Sequence, residues 1–341
     1  MSRRRRSRSQ KKQMLFVAIV VILLVITGLF FGITEWKKMK ERSSYTSSDS
    51  KDREKGIYEI TYNGDKYSYN NDILSILFIG IDSSEKMEET KEYGGQAIAD
   101  SIDLLLFDRG NKTIRLVPIN RDMQTEIHKF SLSGYDQGTY ETRIAYAYSY
   151  GNGGKASAKN VITAVSDIFG GVPIDNYIVT NLYTLNTMNE MFGDIEVTVP
   201  NDDLAAQYPD LTEGATVQLS GQELVDYLHV RDTGVDFSNQ GRMERQKSFI
   251  DGWGRQVKGM SADDAVTLWN KLSADHEFMQ TNITKNNFLK LMEYTHEYDY
   301  DNRPIELSGE YQEIDGKDTF FTDSKEREEK KIEIFYKKNN Y

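Results

Sequence analysis

The sequence predicts an α/β domain, a layered α-β-α sandwich around a central mixed sheet, preceded by one transmembrane helix. Residues 101–107 (SIDLLLF) and 113–119 (TIRLVPI) are apolar strands on either side of turn residues 108–112 (DRGNK), so they form a β-hairpin. Strands this apolar are buried on both faces, which requires helices covering the sheet. From residue 157 to residue 199 helical and extended patterns alternate, the rhythm of a layered α/β fold. Residues 14–34 are an uncharged run of apolar and small residues, long enough to cross a bilayer as a helix.

Ahead of that run stand Arg3, Arg4, Arg5, Arg6, Arg8, Lys11 and Lys12. The positive-inside rule therefore keeps residues 1–13 in the cytoplasm as a basic tail and sends the rest outside, a single-pass type II membrane protein. A cleaved signal peptide competes with the anchor, but the apolar run is too long and residues 35–38 (EWKK) lack a small-residue cleavage pattern. Residues 35–69 read as tether and juxtamembrane segment, polar throughout 43–56, and residues 70–341 as the extracellular domain. Cysteine is absent, which excludes disulfides, a thiolate nucleophile and zinc-thiolate sites. Residues 1–42 carry +9 and the whole chain −11, leaving −20 outside. So acidic a domain argues against nucleic acid as a partner, and the basic tail beside a span sets topology and touches anionic lipid headgroups.

Taken in order, residues 57–69 alternate weakly as β structure and residues 73–81 form a second buried strand. Asp82 follows its C-terminal end, the functional edge of open α/β sheets, although an Asx-turn stopping the strand is the competing reading. Residues 85–97 are a loop leading to Asp100. If the hairpin reverses near Gly110, pairing sets Asp100 opposite Asn120 and within a residue of Arg121, so a carboxylate and a guanidinium meet at one edge. Residues 123–140 are mixed and glycine-bearing, and Tyr146, Tyr148 and Tyr150 share a face only if they lie on a strand. Helices at 157–169 and 182–192 alternate with strands at 175–180 and 195–199. Ser220 to Glu223 reads as a capping box opening a helix over 223–230 that delivers Arg231 at its end.

The long helix starting at Asn239 places Arg242, Arg245, Gln246 and Phe249 on one face. Arginines near a helix N-terminus are unfavourable unless something negative pairs with them, and a surface salt-bridge face is the plain alternative. Residues 263–272, 286–294 and 324–336 are further helices. His128, His229, His276 and His296 are scattered without metal-ligand spacing, and there is no nucleophile elbow, P-loop or dinucleotide fingerprint.

Residues 76–83 (ILFIGIDS), 99–102 (ADSI), 118–122 (PINRD), Arg143-Ile144, 227–231 (YLHVR) and 242–246 (RMERQ) follow in order, with 307–310 (LSGE) and 320–323 (FFTD) near the end. Together, over residues 70–336, they resemble the motifs of the LytR-CpsA-Psr proteins. The resemblance implies an extracytoplasmic phosphotransferase of cell-wall assembly. It would move a glycopolymer, teichoic acid or capsule polysaccharide, from an undecaprenyl-pyrophosphate carrier to peptidoglycan. It implies Mg²⁺ (or Mn²⁺) on Asp82 and Asp100, catalytic roles for Asp100, Arg121 and Arg231, and a pyrophosphate clamp of Arg121, Arg143, Arg231, Arg242, Arg245 and Gln246. Cleaving a pyrophosphate requires charge on non-bridging oxygens to be neutralised, which arginines and a carboxylate-held cation accomplish. The lipid chain would lie in an apolar tunnel between helices and sheet. The chain departs from the family pattern at Ile98 and Thr233, where arginines are usual, and at Ala145, where asparagine is usual. These departures imply the alternative of an impaired relative that binds polyprenyl-phosphate lipid as a regulatory or scaffold factor.

Overall fold

The computed structural model describes residues 58–231, 238–274 and 278–339. The basic tail, the apolar run 14–34, the polar stretch 43–56 and Thr233 lie outside them. Among the described residues no helix is long and apolar enough to cross a membrane. Thr61–Tyr341 is one compact unit, and of the other, Met1–Ile60, only residues 58–60 are described.

In chain order, β1 (Glu59–Tyr62) and β2 (Asp65–Tyr69) lead into β3 (Ile73–Ile81), β4 (Ala99–Asp108) and β5 (Thr113–Pro118). After β6 (Gln124–Phe130) and β7 (Asp136–Arg143) come α1 (Tyr146–Ser149), α2 (Lys155–Ile168), β8 (Asn176–Asn181), α3 (Leu182–Phe192), β9 (Ile195–Thr198) and β10 (Thr216–Leu219). Then follow α4 (Gly221–His229), α5 (Asn239–Gly259), α6 (Ala262–Leu272), β11 (Gln280–Thr281), α7 (Lys285–Glu297) and β12 (Asp299–Asp301). The chain closes with β13 (Glu310–Ile314), β14 (Lys317–Phe321), α8 (Ser324–Phe335) and β15 (Tyr336–Lys338).

Six strands form the central sheet in the order β11-β8-β3-β4-β5-β12. It is mixed, as expected: β3 runs parallel to β8 and β5 to β12, while β4 is antiparallel to both neighbours. Both faces are covered. Along β3 and β4, Ile76 and Phe107 join a core with Ala265, Leu268 and Leu272 of α6 and Phe288, Leu291 and Met292 of α7. Leu77 and Leu104, which alternate with them, are equally inaccessible. Each such side chain contributes about 1.5–3 kcal/mol on burial, so the strand pattern itself anchors the layers.

The 108–112 turn sets the register one residue away from the expectation. Asp103 pairs with Pro118 and Asp108 with Thr113, which carried to the open end sets Asp100 against Arg121 rather than Asn120. The Asp108 carboxylate accepts the N–H groups of Gly110 and Asn111 at 2.9 Å, and Lys112 takes φ +52°. The reversal is therefore centred between Gly110 and Asn111, not on Gly110.

Within residues 57–69, read as weak β structure, Glu59–Tyr62 and Asp65–Tyr69 are β1 and β2, and β2 pairs with β15. Other expectations require correction. The strand at 195–199 is β9, which leaves the central sheet to pair with β10. Residues 123–143 form a β6–β7 hairpin that lacks the apolar alternation of a half-buried strand, since β7 is exposed over most of its length. Ser220 caps α4 without a side-chain hydrogen bond. Gly221 enters at φ +50° and gives its N–H to Asn189 Oδ1, so the extended-to-helical entry that a capping box needs is missing. Gly252 of α5 is required by close approach: a Cβ there would lie 2.3 Å from the Glu196 carbonyl oxygen of β9.

Asp103 is buried in β4, its carboxylate taking only the Ser101 hydroxyl at 2.5 Å. Burial pushes it up to about 6, with the Ser101 hydrogen bond acting in the opposite direction. Its contribution to stability is therefore full below about pH 4 and is lost as pH rises through about 6. Asp103→Asn is expected to match the wild type near pH 4 and to exceed it by about 3 kcal/mol at pH 8 in denaturant unfolding. A difference that does not change with pH would refute the assignment.

Candidate functional site

Since β4 runs against β3 and β5, its start lies beside the ends of both, and the end of parallel β8 lies on the same edge. A bulge between Gly80 and Ile81 shifts the last β3–β4 pair so that Ile81 opposes Ala99. Asp82, Asp100 and Arg121 thus converge at one rim of the sheet, where the C-terminal end of α4 and the N-terminal end of α5 also arrive.

Asp100 is the centre of the cluster. Arg121 Nη1 donates to its Oδ1, and Arg242 Nη1 to its Oδ2 at 3.0 Å. His229 Nδ1 lies 3.3 Å from Asp100 Oδ2 and 3.6 Å from Asp82 Oδ1. Burial alone would raise the Asp100 carboxyl, but the His229 hydrogen bond and the Arg121 and Arg242 charges outweigh it and hold it at about 2. His229 is raised in turn, by its hydrogen bond to Asp100 and by both carboxylate charges, against burial and Arg242.

A second carboxylate, Asp122, is fully buried and joins its Oδ1 to Arg143 Nη1 at 3.2 Å, with Arg121 Nε at 3.7 Å. Burial raises it, and the charges of Arg121, Arg143, Arg231 and Arg242 act in opposition. Arg231 therefore stands within electrostatic reach of the cluster, and its Nη1 donates to Ser238 Oγ at 3.4 Å. Arg143 also lies over the Tyr146 ring, whose hydroxyl takes Lys317 Nζ at 3.2 Å. Arg242 Nη2 donates to Asn239 Oδ1, Asn239 to Asn120 Oδ1, and Asn120 to the Tyr311 hydroxyl, at 2.7, 3.2 and 2.7 Å. That relay ties the end of β5 to the start of α5 and to β13.

The arginine face of α5 packs inward, and both its arginines have carboxylate partners, Asp100 for Arg242 and Asp203 for Arg245. The same face binds four consecutive carbonyls at the end of α4. Arg245 Nε donates to Tyr227 O at 2.9 Å, Gln246 Nε2 to Leu228 O at 3.1 Å, Arg242 Nη1 to His229 O at 3.4 Å, and Arg245 Nη2 to Val230 O. A helix end leaves its last carbonyls without partners and negative, so guanidinium and amide donors are well matched there. Arg245 and Gln246, expected at a pyrophosphate, are instead placed against this backbone and hold His229 and Arg231 in position. Arg121, Arg143, Arg231 and Arg242 are the arginines gathered around Asp100 and Asp122.

The oxygens of Asp82 and Asp100 and a nitrogen of His229 lie within 4.8 Å of one another, the one such cluster of His, Asp and Glu among the described residues. Two carboxylates and an imidazole are a donor set that fits a divalent cation. His229 gave no sign of this in the sequence, because its partners are well over a hundred positions away. What could have indicated it is its place two residues before Arg231, at the end of a helix already read as delivering a functional side chain.

Fold and site together define a class: an α/β domain whose sheet edge sets a cluster of two carboxylates and an imidazole against buried guanidiniums. The chain belongs to the LytR_cpsA_psr family, matched over residues 33–334. It is 32% identical over 189 residues to the polyisoprenyl-teichoic acid–peptidoglycan teichoic acid transferase TagT of Bacillus subtilis (strain 168), covering 53% of this chain and 52% of that protein. It is 27% identical over 243 residues to TagV of the same strain, a transferase described in the same words, covering 66% and 56%. The chain thus spans about half the length of the curated relatives it matches. The crystal structure of B. subtilis TagV superposes with a TM-score of 0.57 at 22% identity, over 77% of this chain and 96% of that one. TagT bound to LIIa-WTA gives a TM-score of 0.57 at 20% identity, over 78% and 90%. At these identities the superpositions establish the fold.

Proposed function

We propose that this chain is a phosphotransferase of cell-wall assembly that moves a glycopolymer from an undecaprenyl-pyrophosphate carrier to peptidoglycan. It acts as a single-pass type II membrane protein with its C-terminal domain outside, using Mg²⁺ or Mn²⁺. The observation that carries this is the sharing of Asp100: its Oδ1 meets Arg121, and its Oδ2 meets both Arg242 and His229, beside Asp82. Groups that hold a cation and groups that hold an anion therefore adjoin, as the cleavage of a pyrophosphate requires.

In the transfer, an acceptor hydroxyl oxygen bonds to the phosphorus that carries the glycopolymer. The bridging P–O bond breaks, polyprenyl phosphate leaves with that electron pair, and the hydroxyl proton passes to solvent. A cation on Asp82 and Asp100 would neutralise non-bridging oxygens. Arg121, Arg231 and Arg242 bind and orient the pyrophosphate, Arg143 extends the positive rim through Asp122, and Asp100 orients Arg121 and Arg242. The second reading, a protein that binds the lipid carrier without turning it over, is favoured by Ile98. This half-buried side chain stands beside Asp82 where the family commonly has arginine, and its carbonyl accepts the Asp82 N–H at 2.9 Å.

The test is release of polyprenyl phosphate from a polyprenyl-pyrophosphate oligosaccharide by the full chain in detergent, with Mg²⁺ or Mn²⁺ and peptidoglycan acceptor. Cation-dependent release together with product on the acceptor supports the transferase. Tight binding of the lipid with no release under either cation overturns it in favour of the second reading.

A further inference from the structure

We propose that His229 is a third ligand to the cation of this site and biases it toward first-row transition cations over Mg²⁺. The inference rests on the cation-dependent transfer proposed above and adds which cation the residues of this chain prefer.

Three observations support it. The first is direction: the ring nitrogen Nδ1 is the atom turned toward both carboxylates, 3.3 Å from Asp100 and 3.6 Å from Asp82. The second is rigidity. His229 ends α4, and the carbonyls of residues 227–230, its own included, are all held by Arg242, Arg245 and Gln246, so the ring is presented from a fixed backbone. The third is charge. Arg121 and Arg242 occupy both oxygens of Asp100 and offset its charge, leaving Asp82, which is more exposed, as the carboxylate of the cluster without a guanidinium partner among the described residues.

A hard cation such as Mg²⁺ prefers an all-oxygen, water-rich shell and gains little from a site with so little net negative charge. An imidazole nitrogen adds a strong neutral donor, and first-row transition cations exploit it far better than Mg²⁺ does. Substituting nitrogen for a third oxygen therefore selects by ligand type without adding charge.

The test uses the full chain in detergent micelles with Mn²⁺ as the paramagnetic probe and Mg²⁺ as competitor. Bound Mn²⁺ is expected to show a nitrogen hyperfine coupling that changes from the ¹⁴N to the ¹⁵N pattern when histidine is ¹⁵N-labelled. Mg²⁺ is expected to displace Mn²⁺ only at about tenfold or greater excess, and His229→Gln to remove the coupling and weaken Mn²⁺ binding about 10–100-fold, with a smaller effect on Mg²⁺. Mn²⁺ bound without histidine nitrogen coupling, or Mg²⁺ competing on equal terms, overturns the inference while leaving an Asp82–Asp100 cation site intact. Absence of any bound cation overturns both this inference and the cation in the proposed function. The isotope experiment on the wild-type chain decides the matter even if His229→Gln fails to fold.

Discussion

Replacing Asp100 with alanine is expected to lower turnover at least about a hundredfold and to destabilise the domain by about 3–5 kcal/mol. Asp100 is 8% exposed and is the shared partner of Arg121 and Arg242, which are themselves 5% and 2% exposed. Removing it leaves two guanidiniums in a low-dielectric site with nothing opposite them, the costly way to break a buried pair. The activity loss has a separate origin, because the same carboxylate belongs to the proposed cation site and orients both arginines. Asp100→Asn separates the two effects. It keeps the shape and an acceptor oxygen, so about half of the stability should return, while turnover stays low because the charge is gone. The pH dependence is a further check: with its carboxyl held at about 2, Asp100 contributes stability that is full above about pH 4 and is lost as pH falls through about 2. The deficit of the alanine variant should therefore shrink in acid. Turnover retained in Asp100→Asn would remove the carboxylate charge from the mechanism.

The meeting of Asp100 with Arg121 is legible in the sequence because a tight turn between two apolar strands fixes which residues meet at the open end. An error of one residue in the centre of the turn still left the two within reach. The same holds for β3, α2 and α3, whose apolar periodicity is strong and whose ends are marked by glycine or by a capping residue, as when Asn181 Oδ1 accepts the Thr184 N–H at 2.9 Å. Legibility fails where burial does not write the pattern. The β6–β7 hairpin is solvated along β7 and so carries no alternation. His229 and Asp82 are brought together only by the docking of α4 on the sheet edge, a long-range event that no local spacing records. Asp122 lay inside a recognised motif, yet its partner Arg143 is fixed by the return of β7, an element that could not be read.

Arg245 illustrates a different limit: the sequence told which face of α5 it occupies but not what meets that face. Arg245→Met is expected to cost about 3 kcal/mol or more in stability and to lower turnover by about tenfold or more, through the position of the α4 end that the side chain holds. Its guanidinium is 1% exposed and joins Tyr227 O, Val230 O and Asp203 Oδ2, the last at 2.5 Å. Loss of that fork strips two partners from the end of α4 and frees the residues between them, so His229 and Arg231 lose their fixed positions. Arg245→Lys should recover part of the stability, because a point charge can face Asp203 but cannot span two carbonyls as well. Amide hydrogen exchange distinguishes this positioning role from a direct pyrophosphate contact. Positioning requires faster exchange at the C-terminal turn of α4 in Arg245→Met, with kcat falling more than KM rises. A variant that exchanges like the wild type and loses only substrate affinity would return Arg245 to the clamp. The carbonyl contacts favour the first outcome, since a guanidinium already bound to two backbone oxygens and a carboxylate has little donor capacity left for a phosphate.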